Sequence, residues 1–452
     1  MARRNDGEEA ANYIRELIVQ GELPAGQRLV ASEMAELIGV SRIPVREGII
    51  ALEAEGFVSV APRRGTTITG FTREIVQAHH EVVGHLQGIV ARWAVERSGK
   101  DVLSKLVRDL AKIESKPPVE AVASYRRCVD ELLAASASGR AAALLRVLPD
   151  LLATSALEPD GAVASLTADA GSKLRRALRR ADKDAAATIV ARHQAHLGAA
   201  VADLLDEQGW LAHPEDVAPW PGDVVGAAPA SPEPRSLRPN SFAVPNPNRG
   251  ARVEALVRAM IIGGKIPPST RVDLQDIAAR AGVSTTPLRE AMIALERQGW
   301  VTIAPHRGVF VKPFGAQDAR DHYDLFAVLF ALATDHLVAA ADPDALARFR
   351  QDVEALEVEV DAAAFEQINR RLLDLVVTQP HSRPLVVALR AMPEVMAGNF
   401  FERVPGAMDG HRIGFRALLE ALEASDADAA RGAWSRMLRS DGDGVIEVFR
   451  FA

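Results

Sequence analysis

A long internal repeat governs the organisation of this sequence. The stretch GVSRIPVREGIIALEAEGFVSVAPRRGTTI at residues 39–68 returns as GVSTTPLREAMIALERQGWVTIAPHRGVFV at residues 282–311, an offset of 282 − 39 = 243 residues. The offset holds without a gap from Ile18 and Ile261 to Ile68 and Val311. Because a repeat of long period sets the architecture before any local pattern does, we interpret the chain as a tandem duplication.

The first half of the repeated stretch has the signals of a short helix. Ser41 is a residue type that caps helix N-termini by accepting a hydrogen bond from an amide of the next turn. Pro44 falls in the first turn, where its missing N–H has no consequence. Gly56 stands where a helix favours a left-handed residue at its end. The pattern predicts a helix from about Arg42 to Glu55.

The second half of the stretch changes to a period of two, which is typical of strands. Val58 and Val60 alternate with small residues, and a β-prone run covers residues 66–69. The four residues between them, 62–65, have turn chemistry with two arginines. Upstream, the apolar periodicity predicts helices over residues 8–20 and 32–38. Three helices followed by a two-stranded ribbon predict a winged helix-turn-helix domain.

The composition is that of an ordinary globular protein, with 48% hydrophobic and 25% charged residues. A length of 452 residues predicts roughly three domains. The net charge of −7 argues against coating nucleic acid by charge alone but allows local basic patches. A single cysteine, Cys128, excludes an intramolecular disulfide framework and indicates a reducing compartment.

The N-terminus lacks the pattern of a signal peptide. The apolar run that begins at Leu325 ends at Asp335 and is too short to span a bilayer. We expect a soluble cytoplasmic protein without a membrane partner.

The segments GELPAGQRL, ELIGVSRIPVREGIIALEAEGFV and PRRG resemble the DNA-binding domain of the GntR family of bacterial transcription regulators. The resemblance covers about residues 10–70 and repeats over about 250–313 through GGKIPPSTRV, RAGVSTTPLREAMIALERQGWV and PHRG. It implies that double-stranded DNA is the partner.

The spacing of the arginines agrees with this implication. Arg42 and Arg46 are four residues apart, so they project from one face near the helix end that enters the major groove. Each can form a bidentate pair with guanine, which is worth about 1 to 3 kcal/mol of base discrimination. Arg64, next to Gly65, is expected to reach phosphate or the minor groove. The predicted DNA-contacting set comprises Ser32, Ser41, Arg42, Arg46, Arg63, Arg64 and Gly65 in the first copy, and Gln275, Ser284, Thr285, Thr286, Arg289, His306, Arg307 and Gly308 in the second.

The second copy departs from the first at the groove-facing positions. Thr285 replaces Arg42 and His306 replaces Arg63, whereas Arg289, Arg307 and Gly308 are retained. Loss of one cation weakens that half and changes the bases it reads. We therefore expect two unequal DNA-reading heads.

An Ala- and Leu-rich segment of helical period follows each wing, and its breaks divide it into about six helices. Six helices behind a GntR-type head resemble the FCD domain, the all-helical effector domain of one branch of the family. The predicted fold class is mainly α: two winged helix-turn-helix domains with small β-ribbons, each followed by an all-α bundle. The predicted domains are 1–71 and 251–314 (the heads), 72–209 and 315–452 (the bundles), and 210–250 (a Pro-rich linker).

Members of that branch commonly bind a divalent metal through one Asp and three His. When each copy is aligned with the family by its ends, the four ligand positions are occupied in the second copy by Phe365, Asn369, Phe415 and Met437. In the first copy they are occupied by Tyr125, Val129, Gly171 and His193. Aromatic, aliphatic and thioether groups cannot replace such ligands, so we expect neither a metal nor a cofactor. A register error of one turn would bring in His411. We interpret His193 and His196 as surface histidines, and the effector-gripping arginine of relatives is replaced by Val83 and Phe326.

A flexible linker of about 40 residues has a root-mean-square span of about 35 Å. This span is comparable with the roughly 34 Å between major-groove half-sites on one face of DNA. One chain can therefore place both heads on a single operator, which predicts an imperfect palindrome. We expect the two bundles to associate as an intramolecular pseudo-dimer, and homodimerisation stays open.

The leading hypothesis is a DNA-binding transcriptional regulator, a repressor in sign, released by a small-molecule effector if one exists. The alternative is a protein-interaction scaffold that uses the same surfaces without specific DNA binding. An enzyme ranks last, because no nucleophile, base and orienting group stand at recognisable spacing.

Overall fold

A computed structural model describes residues 6–61, 65–148, 161–217, 249–262, 265–304, 307–340, 342–378, 382–392 and 400–449. It divides into two compact units, unit 1 (Met1–Val224 with Arg383–Val387) and unit 2 (Val225–Ser382 with Ala388–Ala452). The predicted fold class is confirmed, since helices dominate and the only described strands lie in the two repeated regions. Most of the predicted linker, residues 218–248, lies outside the described residues.

Head 1 has the predicted order of helices and strands, with one additional strand. Gly39 and Gly56, with φ of 76° and 81°, end the second and third helices in the left-handed conformation that the sequence predicts. A short N-terminal strand pairs antiparallel with the second ribbon strand and makes a three-stranded sheet instead of the predicted two-stranded ribbon. The elements are α1 (Asp6–Val19), β1 (Arg28–Leu29), α2 (Ala31–Ile38), α3 (Arg42–Ala54), β2 (Val58–Ala61) and β3 (Gly65–Ile68).

One detail of the α3 prediction is wrong. Ser41 does precede α3 with extended φ and ψ, but its hydroxyl makes no capping hydrogen bond. Its exposed hydroxyl can therefore hydrogen-bond outside the helix.

Two side-chain contacts tie α3 to its surroundings in head 1. The Glu53 carboxylate accepts a hydrogen bond from the Val60 N–H at 3.2 Å, which joins α3 to β2. Arg15 of α1 forms an ion pair of 2.6 Å with Glu55, and both side chains are largely buried. These contacts hold the helix and the ribbon in one orientation.

Bundle 1 follows head 1 with six described helices, which is the predicted number. Three of these helices begin at a polar cap, since Thr72, Ser138 and Asp182 each accept a hydrogen bond from the amide three residues later. The helices are α4 (Arg73–Arg97), α5 (Lys100–Leu110), α6 (Pro118–Ser136), α7 (Gly139–Val147), α8 (Gly161–Arg179) and α9 (Lys183–Glu207).

Head 2 repeats the arrangement of head 1. Glu296, which is equivalent to Glu53, accepts from the Ile303 N–H at 2.6 Å. Gly299 and Gly308 have positive φ at the helix end and the ribbon start, as Gly56 and Gly65 do. Arg271 forms an isolated bridge with Phe310 in place of the short first strand. The elements are α10 (Arg249–Ile262), α11 (Leu274–Ala281), α12 (Thr285–Arg297), β4 (Val301–Ala304) and β5 (Gly308–Val311).

Bundle 2 has seven described helices rather than six, because a four-residue helix is inserted before its last two. Its first helix includes the apolar run from Leu325 and is 25 residues long, enough to cross a membrane by length and composition. However, 61% of its most apolar window is buried inside the fold, which is typical of a core helix. The helices are α13 (Ala316–Ala340), α14 (Pro343–Val358), α15 (Ala362–Thr378), α16 (Arg383–Ala391), α17 (Phe400–Arg403), α18 (Ala407–Glu423) and α19 (Ala427–Phe449).

Candidate nucleic-acid interface

Helix α3 separates a buried face from a cationic, exposed face. Val45 and Leu52 are fully buried in the core of head 1. Arg42 and Arg46 are exposed near the N-terminal end of the helix, on the side away from that core. Ile43, between them in sequence, is 59% exposed, although an isoleucine is usually buried. The exposed residues of this turn therefore offer two guanidinium groups and one apolar side chain.

The two arginines of this surface have no carboxylate partner among the described residues. Within the described residues, neither Arg42 nor Arg46 takes part in an ion pair. Ser41 is exposed beside them, and Ser32 is half-buried in the first turn of α2. An exposed guanidinium without an internal carboxylate partner is available to an external acceptor such as a base edge or a phosphate.

The wing of head 1 begins at Gly65, which has φ of 91° and is the first residue of β3. Only glycine adopts this conformation readily. The two predicted wing arginines, Arg63 and Arg64, lie outside the described residues.

Head 2 presents a reduced version of the same surface. Arg289 is exposed on α12, at the position of Arg46. Thr285 and Thr286 occupy the first turn of α12, and Ser284 precedes it without a capping hydrogen bond. Gln275 is exposed on α11.

The wing of head 2 is partly described. Arg307 is exposed immediately before Gly308, whose φ is 107°. His306, the remaining predicted residue of this wing, lies outside the described residues.

Two exposed arginines next to the wings did not enter the predicted set. Arg28 lies in β1, and Arg271 lies at the equivalent position of head 2, since 271 − 28 = 243. The signal that finds them is the repeat itself, because both copies retain arginine at an exposed position. Comparison of the two copies does not identify Ile43, because its counterpart in head 2 is Thr286. Its exposure in the structure is what identifies Ile43 as part of this surface.

The interior of bundle 1 brings together three of the four residues placed by the family register. The rings of Tyr125 and His193 lie 4.6 Å apart, and a Cβ on Gly171 would lie 3.8 Å from Tyr125 Cδ2. The prediction that His193 is a surface residue is wrong, because it is 5% exposed, whereas His196 is exposed. Burial, with a smaller effect of His80, lowers the pKa of His193 to about 4, so the ring is neutral at pH 7. A neutral imidazole against a tyrosine is a packing contact.

The interior of bundle 2 contains a buried polar group that includes one registered position, Asn369, and two residues one helical turn from the others, His411 and Asp441. His411 Nδ1 lies 2.8 Å from Asn369 Oδ1, and His411 Nε2 lies 2.9 Å from Asp441 Oδ2. Phe415 packs near His411, with the ring centroids 5.8 Å apart. Both ring nitrogens of His411 are thus engaged inside the protein. Across the described ranges, no group of three or more His, Cys, Asp or Glu side chains is arranged to hold a metal ion.

Three residues outside the interface also behave as core residues. Cys128 is buried on α6, and burial raises the pKa of its thiol to about 11. Val83 and Phe326, which replace the arginine of relatives, are both 8% exposed.

Comparison with known proteins agrees with the geometry of the two heads. Residues 7–68 and 249–311 both match the family described as "Bacterial regulatory proteins, gntR family". An uncharacterized HTH-type transcriptional regulator of Mycobacterium tuberculosis is 34% identical over 128 residues, 27% of this chain and 52% of that protein. The present chain thus spans about half the length of that relative.

The HTH-type transcriptional regulator McbR of Escherichia coli is 24% identical over 201 residues, 42% of this chain and 89% of that protein. The solved structure of E. coli McbR/YncC has 22% identity and a TM-score of 0.34, covering 45% of this chain and 99% of that one. The match to the gntR family covers the residues that form α1 to β3 and α10 to β5. The two heads are therefore similar in sequence to the gntR family of bacterial regulatory proteins.

Proposed function

We propose that this chain is a sequence-specific DNA-binding transcriptional regulator with two unequal heads. The observation that carries the proposal is the cationic face of α3, where Arg42 and Arg46 are exposed opposite a buried apolar face. The retained and exposed Arg289 on α12 supports the same role for head 2. The family of the heads and the printed names of the relatives, HTH-type transcriptional regulators, support it independently.

The chemistry of the exposed turn suggests which bases head 1 reads. Arginine pairs in bidentate fashion with O6 and N7 of guanine in the major groove. An exposed aliphatic side chain contacts the C5-methyl group of thymine. We expect the half-site of head 1 to contain guanines read by Arg42 and Arg46 and a thymine adjacent to them, read by Ile43.

Head 2 is expected to discriminate at fewer base positions than head 1. It has Arg289 at the position of Arg46, but Thr285 stands at the position of Arg42. A hydroxyl and a methyl group discriminate between bases less strongly than a bidentate guanidinium does. The proposed operator is therefore an imperfect palindrome in which the half bound by head 1 is the more strictly specified.

The proposal is tested by selecting DNA bound by the full chain from a random pool, followed by titration of the selected sequence at several salt concentrations. We expect a linear fall of log K with log salt, as phosphate contacts release counterions. The selected half-sites should be unequal. Failure to enrich any sequence, combined with affinity that is independent of salt, would overturn the proposal in favour of a protein-interaction scaffold.

Two further properties concern whether the regulator represses or activates transcription and whether it responds to an effector. We propose repression, relieved by a small molecule bound in a helical bundle. A promoter that carries the selected operator ahead of a reporter tests the sign, since deletion of the regulator should raise expression. Thermal-shift screening of the full chain against metabolites tests the effector, because a ligand that binds only the folded state raises the melting temperature.

A further inference from the structure

Each head has an arginine that packs against the first glycine of its wing. A Cβ placed on Gly65 would lie 3.1 Å from Nε and 3.2 Å from a terminal nitrogen of Arg28. A Cβ placed on Gly308 would lie 2.6 Å from Nε and 3.2 Å from a terminal nitrogen of Arg271. The same guanidinium-on-glycine contact thus occurs in both heads, 243 residues apart.

The strand register explains how the side chain reaches the wing. Arg28 pairs with Thr67 of β3, and Arg271 pairs with Phe310 of β5. In each case the glycine is two residues before the pairing partner, on the same face of the strand, because side chains alternate along a strand. The arginine therefore extends along the sheet edge, away from the helices, and ends where the wing turn begins.

The packing makes glycine necessary at both wings for two reasons. The φ values of 91° and 107° disfavour a side chain, and a Cβ would also displace the guanidinium. The absence of a side chain leaves room for the guanidinium beside the glycine backbone. Held in this way, a guanidinium loses less conformational freedom when it binds than a free arginine side chain does.

The two guanidinium groups are also electrostatically available. Arg28 and Arg271 are exposed, and within the described part of the chain neither forms an ion pair. A guanidinium carries five N–H donors and no acceptor, and its geometry matches a phosphate. A fixed cation beside the wing of a helix-turn-helix domain is well placed to contact the DNA backbone flanking the groove.

We propose that Arg28 and Arg271 are DNA-backbone contacts, each held on its wing glycine so that its outer N–H groups meet a phosphate next to the half-site. This inference rests on the proposed DNA-binding function. It adds one sequence-independent contact to each head, which positions the wing without reading bases. It also assigns head 2 a contact as strong as that of head 1, although the base-reading residues differ.

The test compares Arg28→Gln and Arg271→Gln with the wild-type full chain on the selected operator and on an unrelated duplex. Loss of one phosphate contact should reduce the slope of log K against log salt by about 0.9. Between about 50 and 200 mM salt, the wild type should therefore lose about 3.5-fold more affinity than either variant, since 4 to the power 0.9 is about 3.5. The reduction should be the same on both duplexes, because phosphates carry no sequence information.

Two further variants test whether the change in salt slope depends on the charge at position 28 and whether loss of any exposed arginine would produce it. Arg28→Lys retains the charge, so its salt slope should equal that of the wild type. Arg108→Gln removes an exposed arginine of bundle 1 and should leave the slope unchanged. Melting temperatures of all variants identify any that are destabilised.

Each other result counts against the inference. Gln variants with a wild-type slope would show that the arginines only support the wing. A loss confined to the selected operator would assign them to groove reading instead of phosphate binding. If the wild type itself shows no salt-dependent binding, the proposed function fails and this inference fails with it.

Discussion

The two heads share a sequence pattern and a fold, yet their apolar cores extend differently. The core of head 1 includes Leu197, Val201 and Leu205 of α9, which lie on one face of that helix and pack together with residues of α1 and α3. The described members of the core of head 2 all lie between Val253 and Phe314, within the head and the segment that follows it. Head 1 is therefore part of one core with its bundle, whereas the described core of head 2 includes no residue of bundle 2.

The segment after α9 strengthens the attachment of head 1. The Ala212 N–H donates to the Phe71 carbonyl at 2.8 Å, across the end of the head. Trp210 packs against Gly21, where a Cβ would lie 3.2 Å from its ring. Both heads do share one junction feature, an aromatic pair, namely Phe57 with Phe71 and Trp300 with Phe314. The same repeated domain thus shares its core with α9 in one half of the chain, while in the other half the described core stays within the head.

The largest expected effect comes from creating equivalent cavities in the two cores. Leu52 and Leu295 are equivalent residues of α3 and α12, and both are fully buried. Truncation of a buried leucine to alanine costs about 2–5 kcal/mol. Leu52→Ala should weaken head 1 and bundle 1 together, whereas Leu295→Ala should weaken head 2 alone. Hydrogen exchange of the full chain measures this, through the amides of α4 and α6 in unit 1 and of α13 and α18 in unit 2. Faster exchange in α18 after Leu295→Ala would contradict the comparison.

The next effect is a pH dependence that differs between the units. The pKa of His193 is lowered from 6.5 to about 4, so its neutral form is favoured by folding. The resulting stability is present above pH 6.5 and is lost as the pH falls through 4, by about 3 kcal/mol in total. His193→Gln should remove this dependence. Urea unfolding followed by a probe in bundle 1 measures the change, and an identical acid response of variant and wild type would contradict it.

Unit 2 provides the contrast for this measurement. Burial raises the pKa of Asp374 to about 7, so folding favours the protonated carboxyl. Its contribution is present below pH 3.8 and is lost as the pH rises through 7, which is the opposite sign. Asp374→Asn should therefore stabilise bundle 2 by an amount that grows as the pH rises from 3.8 to 7 and is constant above that.

A smaller effect distinguishes the two recognition helices. Arg46→Ala and Arg289→Ala should each cost about 1–3 kcal/mol, or about 5- to 150-fold in operator affinity. Arg46→Ala should have the larger effect because head 1 is proposed to bind DNA with two arginines, Arg42 and Arg46, and head 2 with one at these positions. Competition titration on the selected operator measures both, with Arg108→Ala as the control. Equal losses would indicate that the two half-sites are bound equivalently.

The smallest effect is a gain. Thr285 occupies in α12 the position that Arg42 occupies in α3, the first residue of the helix. Thr285→Arg restores the missing guanidinium and should increase affinity by about tenfold where a guanine faces it. Selection from a random pool should then yield a more symmetric operator. An unchanged selected sequence would show that head 2 approaches the groove differently.

The sequence alone predicted both winged helices because their signals are local. Gly56 and Gly65 mark backbone conformations that few other residues adopt, and Ser138 and Asp182 are capping residue types that begin two helices of bundle 1. The arginine pair of α3 was predictable in the same way, since four residues make just over one helical turn. These features depend on neighbours within a few residues.

Contacts between distant residues escaped prediction. The burial of His193 depends on α6 packing against α8 and α9, and the bonds of His411 to Asn369 and Asp441 join three helices. Arg28 was missed because its partner glycine is 37 residues away, as 65 − 28 shows. No local pattern encodes such distances.

The repeat in the sequence established that the chain carries two copies of one helix-turn-helix arrangement and that Thr285 and His306 of the second copy replace Arg42 and Arg63 of the first. Only the tertiary structure shows that α9 completes the core of head 1 and that an arginine packs against each wing glycine. It also shows which polar side chains meet inside each bundle, His193 with Tyr125 in one and His411 with Asn369 and Asp441 in the other. The physical reason is that helix and turn signals act over one or two turns of chain. Burial and guanidinium packing depend instead on which elements meet after folding.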